Sequence, residues 1–227
     1  MFNPSVALVV HAETAIGAQV SRKLEVLGYS LARVYGKASE EAAKREGWIL
    51  GEKGAKSPEM VVESINKPIS TLVLSAPALP GDHQVFIAGT AWHHLVEQII
   101  TSSMIWLQAC SDKLTDGASI ITIAPPLLLK EKITDPQYEG LTKGLEHMVR
   151  IWARELGSRS IRVNAILPGY IETEHEFKGD ASEKWRRIPL GRPGKPEDIA
   201  GAVAFLAGQE STYITGAILP INGGVHI

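Results

Sequence analysis

Short, nearly continuous apolar runs alternate with longer amphipathic stretches along almost the whole chain, and few architectures accommodate that rhythm. The runs are Val6–Val10, Ser30–Tyr35, Ser70–Ser75, Ser119–Ile123, Ile161–Ile166 and Ala217–Pro220, with Trp48-Ile-Leu50 as a weaker seventh. Each is too short for a helix and apolar at both odd and even positions, as expected of strands covered on both faces. Between them, apolar residues recur at helical spacing over Ile16–Leu27, Glu40–Arg45, Pro58–Ile65, Ala91–Leu114, Tyr138–Leu156 and Pro196–Ala207. Gly28, Gly157 and Gly208 follow three of these stretches, where left-handed C-caps are expected, and Pro196-Glu-Asp places proline and acids in a first turn. Strand, helix, strand in succession dictates right-handed crossovers. The expected fold is therefore α/β: a Rossmann-type, doubly wound parallel sheet of about seven strands in a three-layer α/β/α arrangement.

Nothing in the chain interrupts that alternation, so residues 1–227 read as one domain. A formal net charge of -2, with basic residues scattered, lacks the electrostatic footprint of a nucleic-acid binder. The apolar run Val6–Val10 has no basic leader and is too short to span a bilayer, so no membrane element is expected. His93 and His94 are adjacent and diverge on a helix, so no metal site is expected. The single cysteine, Cys110, cannot form an internal disulfide, which suits a reducing compartment such as the cytoplasm.

Two segments are more specific. Glu155-Leu-Gly-Ser-Arg-Ser-Ile-Arg-Val-Asn-Ala-Ile-Leu-Pro-Gly-Tyr-Ile-Glu-Thr173 and Ile188-Pro-Leu-Gly-Arg-Pro-Gly-Lys-Pro-Glu-Asp-Ile-Ala200 closely resemble the short-chain dehydrogenase/reductase family. Ala204-Phe-Leu-Ala207, Tyr213-Ile-Thr-Gly216 and Asn222-Gly-Gly224 extend the resemblance through the C-terminal third. Members of that family bind NAD or NADP through a T-G-x-x-x-G-x-G turn after the first strand. Here the corresponding residues are Val10-His-Ala-Glu-Thr-Ala-Ile-Gly17: the first two glycine places hold His11 and Ala15, and only Gly17 remains. The early glycines permit a tight turn and close approach of the pyrophosphate, while the helix N-terminus supplies amide donors. His11 and Glu13 are expected to crowd that space, and Glu13 to repel phosphate. The family's N-N-A-G after the fourth strand is replaced by Leu74-Ser-Ala-Pro77, in which only Ala76 agrees. Near Gly36-Lys37 no acid is present for a ribose diol, and Lys37 is the one residue there that could attract a 2′-phosphate.

The resemblance also implies a serine, a tyrosine and a lysine one helical turn beyond the tyrosine, where the two side chains share a face. Counted back from Glu155-Leu156, the tyrosine place is Tyr138 and the lysine place is Thr142. Lys143 is adjacent, but one residue along a helix turns a side chain by roughly 100°. The serine place falls on Pro125 and the family's helix asparagine near Ile99. Tyr138 is the remnant of the catalytic set, and a phenol without a nearby cation should stay near its ordinary value of about 10.

These departures lead to the expectation that no cofactor is held in the degenerate site near His11, Ala15, Gly17 and Ala76, with NADP as the alternative. The expected role is a non-catalytic homologue or subunit. Still open are a divergent NADP-dependent oxidoreductase and an enzyme with altered, nicotinamide-independent chemistry. Expected partners are a second copy of the chain or a catalytic paralogue, as in heteromeric short-chain dehydrogenases with one degenerate subunit. The apolar residues Ile99, Ile100, Trp106, Met148, Ile151 and Trp152 on two long helices suggest the contact face. Leu127–Leu129 and Trp92 suggest a small apolar or acyl ligand in the cleft.

Overall fold

A computed structural model describes residues 6–35, 49–50, 57–76, 93, 96–125, 136–172, 185–186 and 188–225. Gly36, Lys37, Pro77, Trp92, His94, Leu127–Leu129 and the expected helix Glu40–Arg45 lie outside the described residues.

The strands are β1 (Val6–Val10), β2 (Ser30–Tyr35), β3 (Ile49–Leu50), β4 (Ile69–Ser75), β5 (Leu114–Ile123), β6 (Arg162–Pro168) and β7 (Ile218–Ile221). They form one seven-stranded sheet in the order β3-β2-β1-β4-β5-β6-β7, and every paired neighbour is parallel. The helices are α1 (Ala15–Val26), α2 (Pro58–Ser64), α3 (Ser102–Cys110, entered through a π-helical turn over Glu97–Thr101), α4 (Pro136–Leu156) and α5 (Pro196–Ala207). The strand order reverses beside β1, so the carboxyl ends of β1 and β4 bound the crevice in which such sheets take ligands.

The apolar runs on both parities are explained by two cores. Val6, Leu8 and Val10 pack on one face with Leu72, Ile120, Trp106 and Val149. Ala7 and Val9 pack on the other with Val20, Leu24, Ile121, Ile199 and Val203. Trp106 and Ile99 are both buried, at 0% and 2% exposure, so they do not belong to the expected contact face. Cys110 is buried too, and loss of hydration pushes its thiol up to about 12.

Three local expectations are corrected. The stretch Ala91–Leu114 does not stay helical to its end: α3 stops at Cys110 and Leu114 already opens β5, paired with Ile69. Gly157 does not form a left-handed cap, because a 3-10 turn over Gly157–Arg159 follows α4 and Ser160 takes the left-handed conformation at φ 56°. Gly208 is extended (φ -82°, ψ 179°) and is held by its N–H donating to the Ala204 and Phe205 carbonyls. Gly28 behaves as expected, at φ 89°.

Most of the C-terminal resemblance serves packing. Asn164 is fully buried in β6; its Nδ2 donates to Ile214 O (2.9 Å) and its Oδ1 accepts from Ala217 N (3.0 Å), fastening the approach to β7. Arg162 donates to Ser211 Oγ at 2.9 Å, and Ser211 donates onward to carbonyls closing α5. Pro168-Gly169 ends β6 where a Cβ on Gly169 would stand 2.6 Å from Asn222 Cα, so no larger residue fits that crossing. None of these roles requires a bound molecule.

Candidate cofactor cleft

The turn between β1 and α1 sits at the carboxyl edge of the sheet. Residue 11 has φ 55°, a left-handed conformation that glycine adopts freely and other residues at a cost of roughly 1 kcal/mol or more. His11 nevertheless holds it. The turn is locked by other groups: Thr14 N and Thr14 Oγ1 both donate to the His11 carbonyl, at 3.2 and 3.0 Å, and Ala12 N donates to Val34 O at 2.9 Å. Thr14 then caps α1 by accepting from Gly17 N at 3.0 Å. Gly17 keeps the close approach that the third glycine of such turns provides, since a Cβ there would lie 2.3 Å from His11 O.

The side chains in the turn are arranged differently from the expectation. His11 is tucked in rather than projecting, at 8% exposure, with Nδ1 3.3 Å from Glu13 Oε1. Ala15, at the second missing glycine, is exposed and carries only a methyl group at the start of α1. The first amides of a helix have no intrahelical acceptor. Two of those here are engaged, Thr14 N by the His11 carbonyl and Gly17 N by Thr14 Oγ1, which leaves Ala15 N and Ile16 N at the open end. The turn therefore has the left-handed bend and the open amides by which such turns could take a dinucleotide's diphosphate.

Beneath the turn, a narrow cleft is lined by His11, Ser75, Ala76, Ile99, Ser102 and Thr122, among others, and has interior room for about one water molecule. Ala76 extends β4 by donating its N–H to Ile123 O at 3.0 Å. Ile99 lies in the π-helical turn, where its side chain is apolar and buried.

The places at which the resemblance puts the catalytic set hold the following residues. Tyr138 lies in the first turn of α4. Thr142, at the lysine place, is buried and donates its hydroxyl back to Glu139 O at 3.0 Å. Lys143, the adjacent residue, has a side chain that is 72% exposed, with its Nζ paired with Glu146 Oε1 at 2.8 Å. Pro125 follows β5 at the serine place and has no side-chain donor. Among the described residues no cluster could hold a metal ion, and no described helix is long and apolar enough to cross a membrane. Of the residues expected on a contact face, only Ile151 is largely exposed, and Met104 and Ile105 join it as exposed apolar side chains among the described residues. Met104 and Ile105 on α3 and Ile151 on α4 are exposed at 51%, 39% and 42%, while Ile100, Met148 and Trp152 are partly buried.

Comparison with known proteins bears on both halves. The family profile described as Enoyl-(Acyl carrier protein) reductase matches residues 59–226. The 3-oxoacyl-(acyl-carrier-protein) reductase FabG of Salmonella typhimurium is 30% identical over 246 residues, covering 100% of this chain and 99% of that protein. With the Thermotoga maritima protein of the same name the match is local, 41% identity over 116 residues and 46% of its length. Among solved structures, a short-chain dehydrogenase/reductase mutant from Serratia marcescens superposes with a TM-score of 0.86 at 26% identity, covering 98% of each chain. A blue fluorescent protein from a metagenomic library, in complex with NADPH, superposes with a TM-score of 0.83 at 26% identity over 99% of each chain. The expectation of a chain without cofactor is overturned by that last finding. The physical reason is visible in the turn, where a side chain in a glycine place folds inward and leaves the backbone shape intact.

Proposed function

Because this chain belongs to the short-chain dehydrogenase/reductase family, we propose that it is an NADP(H)-holding member, depleted in hydride-transfer chemistry, that works as one subunit of an assembly. The observation that carries this reading is the divergence within one site: the diphosphate turn keeps its conformation, while the lysine place holds Thr142, bonded to its own helix.

In this reading Ala15 N and Ile16 N bind the diphosphate, Gly17 lets the backbone approach, and Ala76 forms the floor at the end of β4. NADP(H) supplies the hydride donor or acceptor when bound. Tyr138 is the one side chain retained to hold a substrate oxygen and pass it a proton. With Thr142 rather than a lysine at the place one helical turn on, this reading leaves Tyr138 without the ammonium that favours the phenolate in the family. An oxo- or hydroxyacyl group is the substrate class that fits, since the FabG relatives act on 3-oxoacyl groups.

The partner follows from the surface. Met104, Ile105 and Ile151 present large apolar side chains on α3 and α4, a face that gains by being covered. The occupant is a second copy or a full-motif paralogue, with residues 1–227 acting as one domain in the cytoplasm. Co-expression with a full-motif paralogue, followed by native mass spectrometry and an NADPH-linked acyl-thioester assay, tests the reading. A mixed assembly more active than the paralogue alone is expected. Separate homomers, with the paralogue equally active alone, would contradict the mixed assembly.

A further inference from the structure

The sheet ends at β7, which pairs with β6 on one side, Ala165 opposite Ile218 through Pro168 opposite Ile221, and with no described strand on the other. Ala165 N donates to Ala217 O and Gly169 N donates to Ile221 O, both at 2.9 Å. In a parallel ladder every second residue turns both of its backbone groups to the same neighbour, so Leu219, between these two, also serves β6. Ile218 and Pro220 therefore turn theirs to the open edge. Ile218 offers an N–H and a carbonyl there. Pro220, which is exposed, offers a carbonyl alone, because its ring replaces the N–H.

An apolar edge strand with free donors and acceptors is a template for a further strand. Ile218-Leu-Pro-Ile221 is apolar throughout, and none of its residues is fully buried. Two copies laid antiparallel about a two-fold axis meet with Ile218 of one opposite Pro220 of the other, where a pair of this kind normally exchanges two bonds. One of them is missing at each such pair. A shift that sets Ile218 opposite its own copy completes that pair alone, since the next outward place brings Pro220 against Gly216, whose N–H is already given to Val163 O at 2.7 Å. We propose that Pro220 closes the β7 edge to strand addition, so that neither a second copy nor another chain extends the sheet here, and any cover on this side is made by side chains. This closure holds whether or not a cofactor is bound.

The test is native mass spectrometry, with amide exchange read at Ile218, on the intact wild-type and Pro220→Thr proteins over a range of concentrations. Threonine restores the missing N–H at an exposed place and is no more apolar than proline, so a gain in mass cannot come from added stickiness. In wild type the Ile218 amide should exchange fast at every concentration. In P220T the main species should rise with concentration to about twice the wild-type mass, and the Ile218 amide should slow by on the order of tenfold as it does so. Concentration-dependent slowing at Ile218 in wild type would mean that the edge is already paired, and overturns the closure without recourse to a variant. A P220T protein that keeps the wild-type mass overturns it too, as does one that gains mass while Ile218 exchanges faster, because that gain comes from unfolding.

Discussion

The turn between β1 and α1 and the helix α4 have both lost family residues, yet with opposite results. In the turn, residue 11 stays left-handed without being glycine, because Thr14, Ala12 and Gly17 supply enough bonds and close contacts to impose the conformation. In α4 the helix forms, but Thr142 at the lysine place bonds to Glu139 O and the exposed Lys143 pairs with Glu146. A backbone shape is a collective property that survives replacement of one contributor. An ammonium at a given place is a single group, and neighbours cannot rebuild it.

The sharpest way to break this contrast is to remove the contact on which the turn most depends. Gly17→Val places a Cβ against His11 O, where the available gap is 2.3 Å. The variant should lose about 3 kcal/mol of stability in a denaturant melt, and with it any affinity for NADPH. Retained stability would mean that the turn is not close-packed. The complementary change restores chemistry to α4. Thr142→Lys combined with Pro125→Ser returns two missing groups beside Tyr138, and NADPH oxidation with an acetoacetyl thioester should rise at least about tenfold over wild type. No gain would remove Tyr138 from the site.

A smaller effect is expected at a region remote from both. Arg192 donates to both oxygens of Asp198, at 2.8 and 3.2 Å, and Lys195 N donates to it at 2.7 Å. The Arg192 hydrogen bond, with help from the Lys195 amide, holds the Asp198 carboxyl below the usual carboxylate range. A depressed carboxylate contributes stability above its unfolded value, near about 4, and loses it as pH falls through the lower folded value. Asp198→Asn should therefore cost about 0.5–1 kcal/mol at neutral pH, discounted for exposure, and the difference from wild type should vanish in strong acid. A constant difference across pH would assign the effect to packing.

The parts legible in the sequence are those set by periodicity. β1 and β2 begin and end where their apolar runs do, and α5 spans the expected Pro196–Ala207. The start of β5 was hidden because Thr115, Asp116 and Gly117 interrupt the run, and Gly117 sits at φ 78° beside a register shift opposite Ile69–Thr71. Helical spacing also puts Lys143 off the face of Tyr138, and in the structure Lys143 is exposed and paired with Glu146. The state of the cofactor turn was not. Counting glycines predicts a broken turn, whereas its conformation depends on Thr14 and on contacts with β2, which lies far along the chain. The inward fold of His11 onto Glu13 has no periodic signature; the only hint was the proximity of two complementary side chains.

The proposed state of the chain is one that holds NADP(H) but does not use it unaided. One experiment addresses it directly: calorimetric titration of the wild-type protein with NADPH, then addition of an acetoacetyl thioester to the loaded protein while NADPH absorbance is followed. Saturable, stoichiometric binding is expected, with no oxidation above the background of free NADPH. Absence of binding, or oxidation at the rate of a full-motif paralogue run alongside, would contradict it.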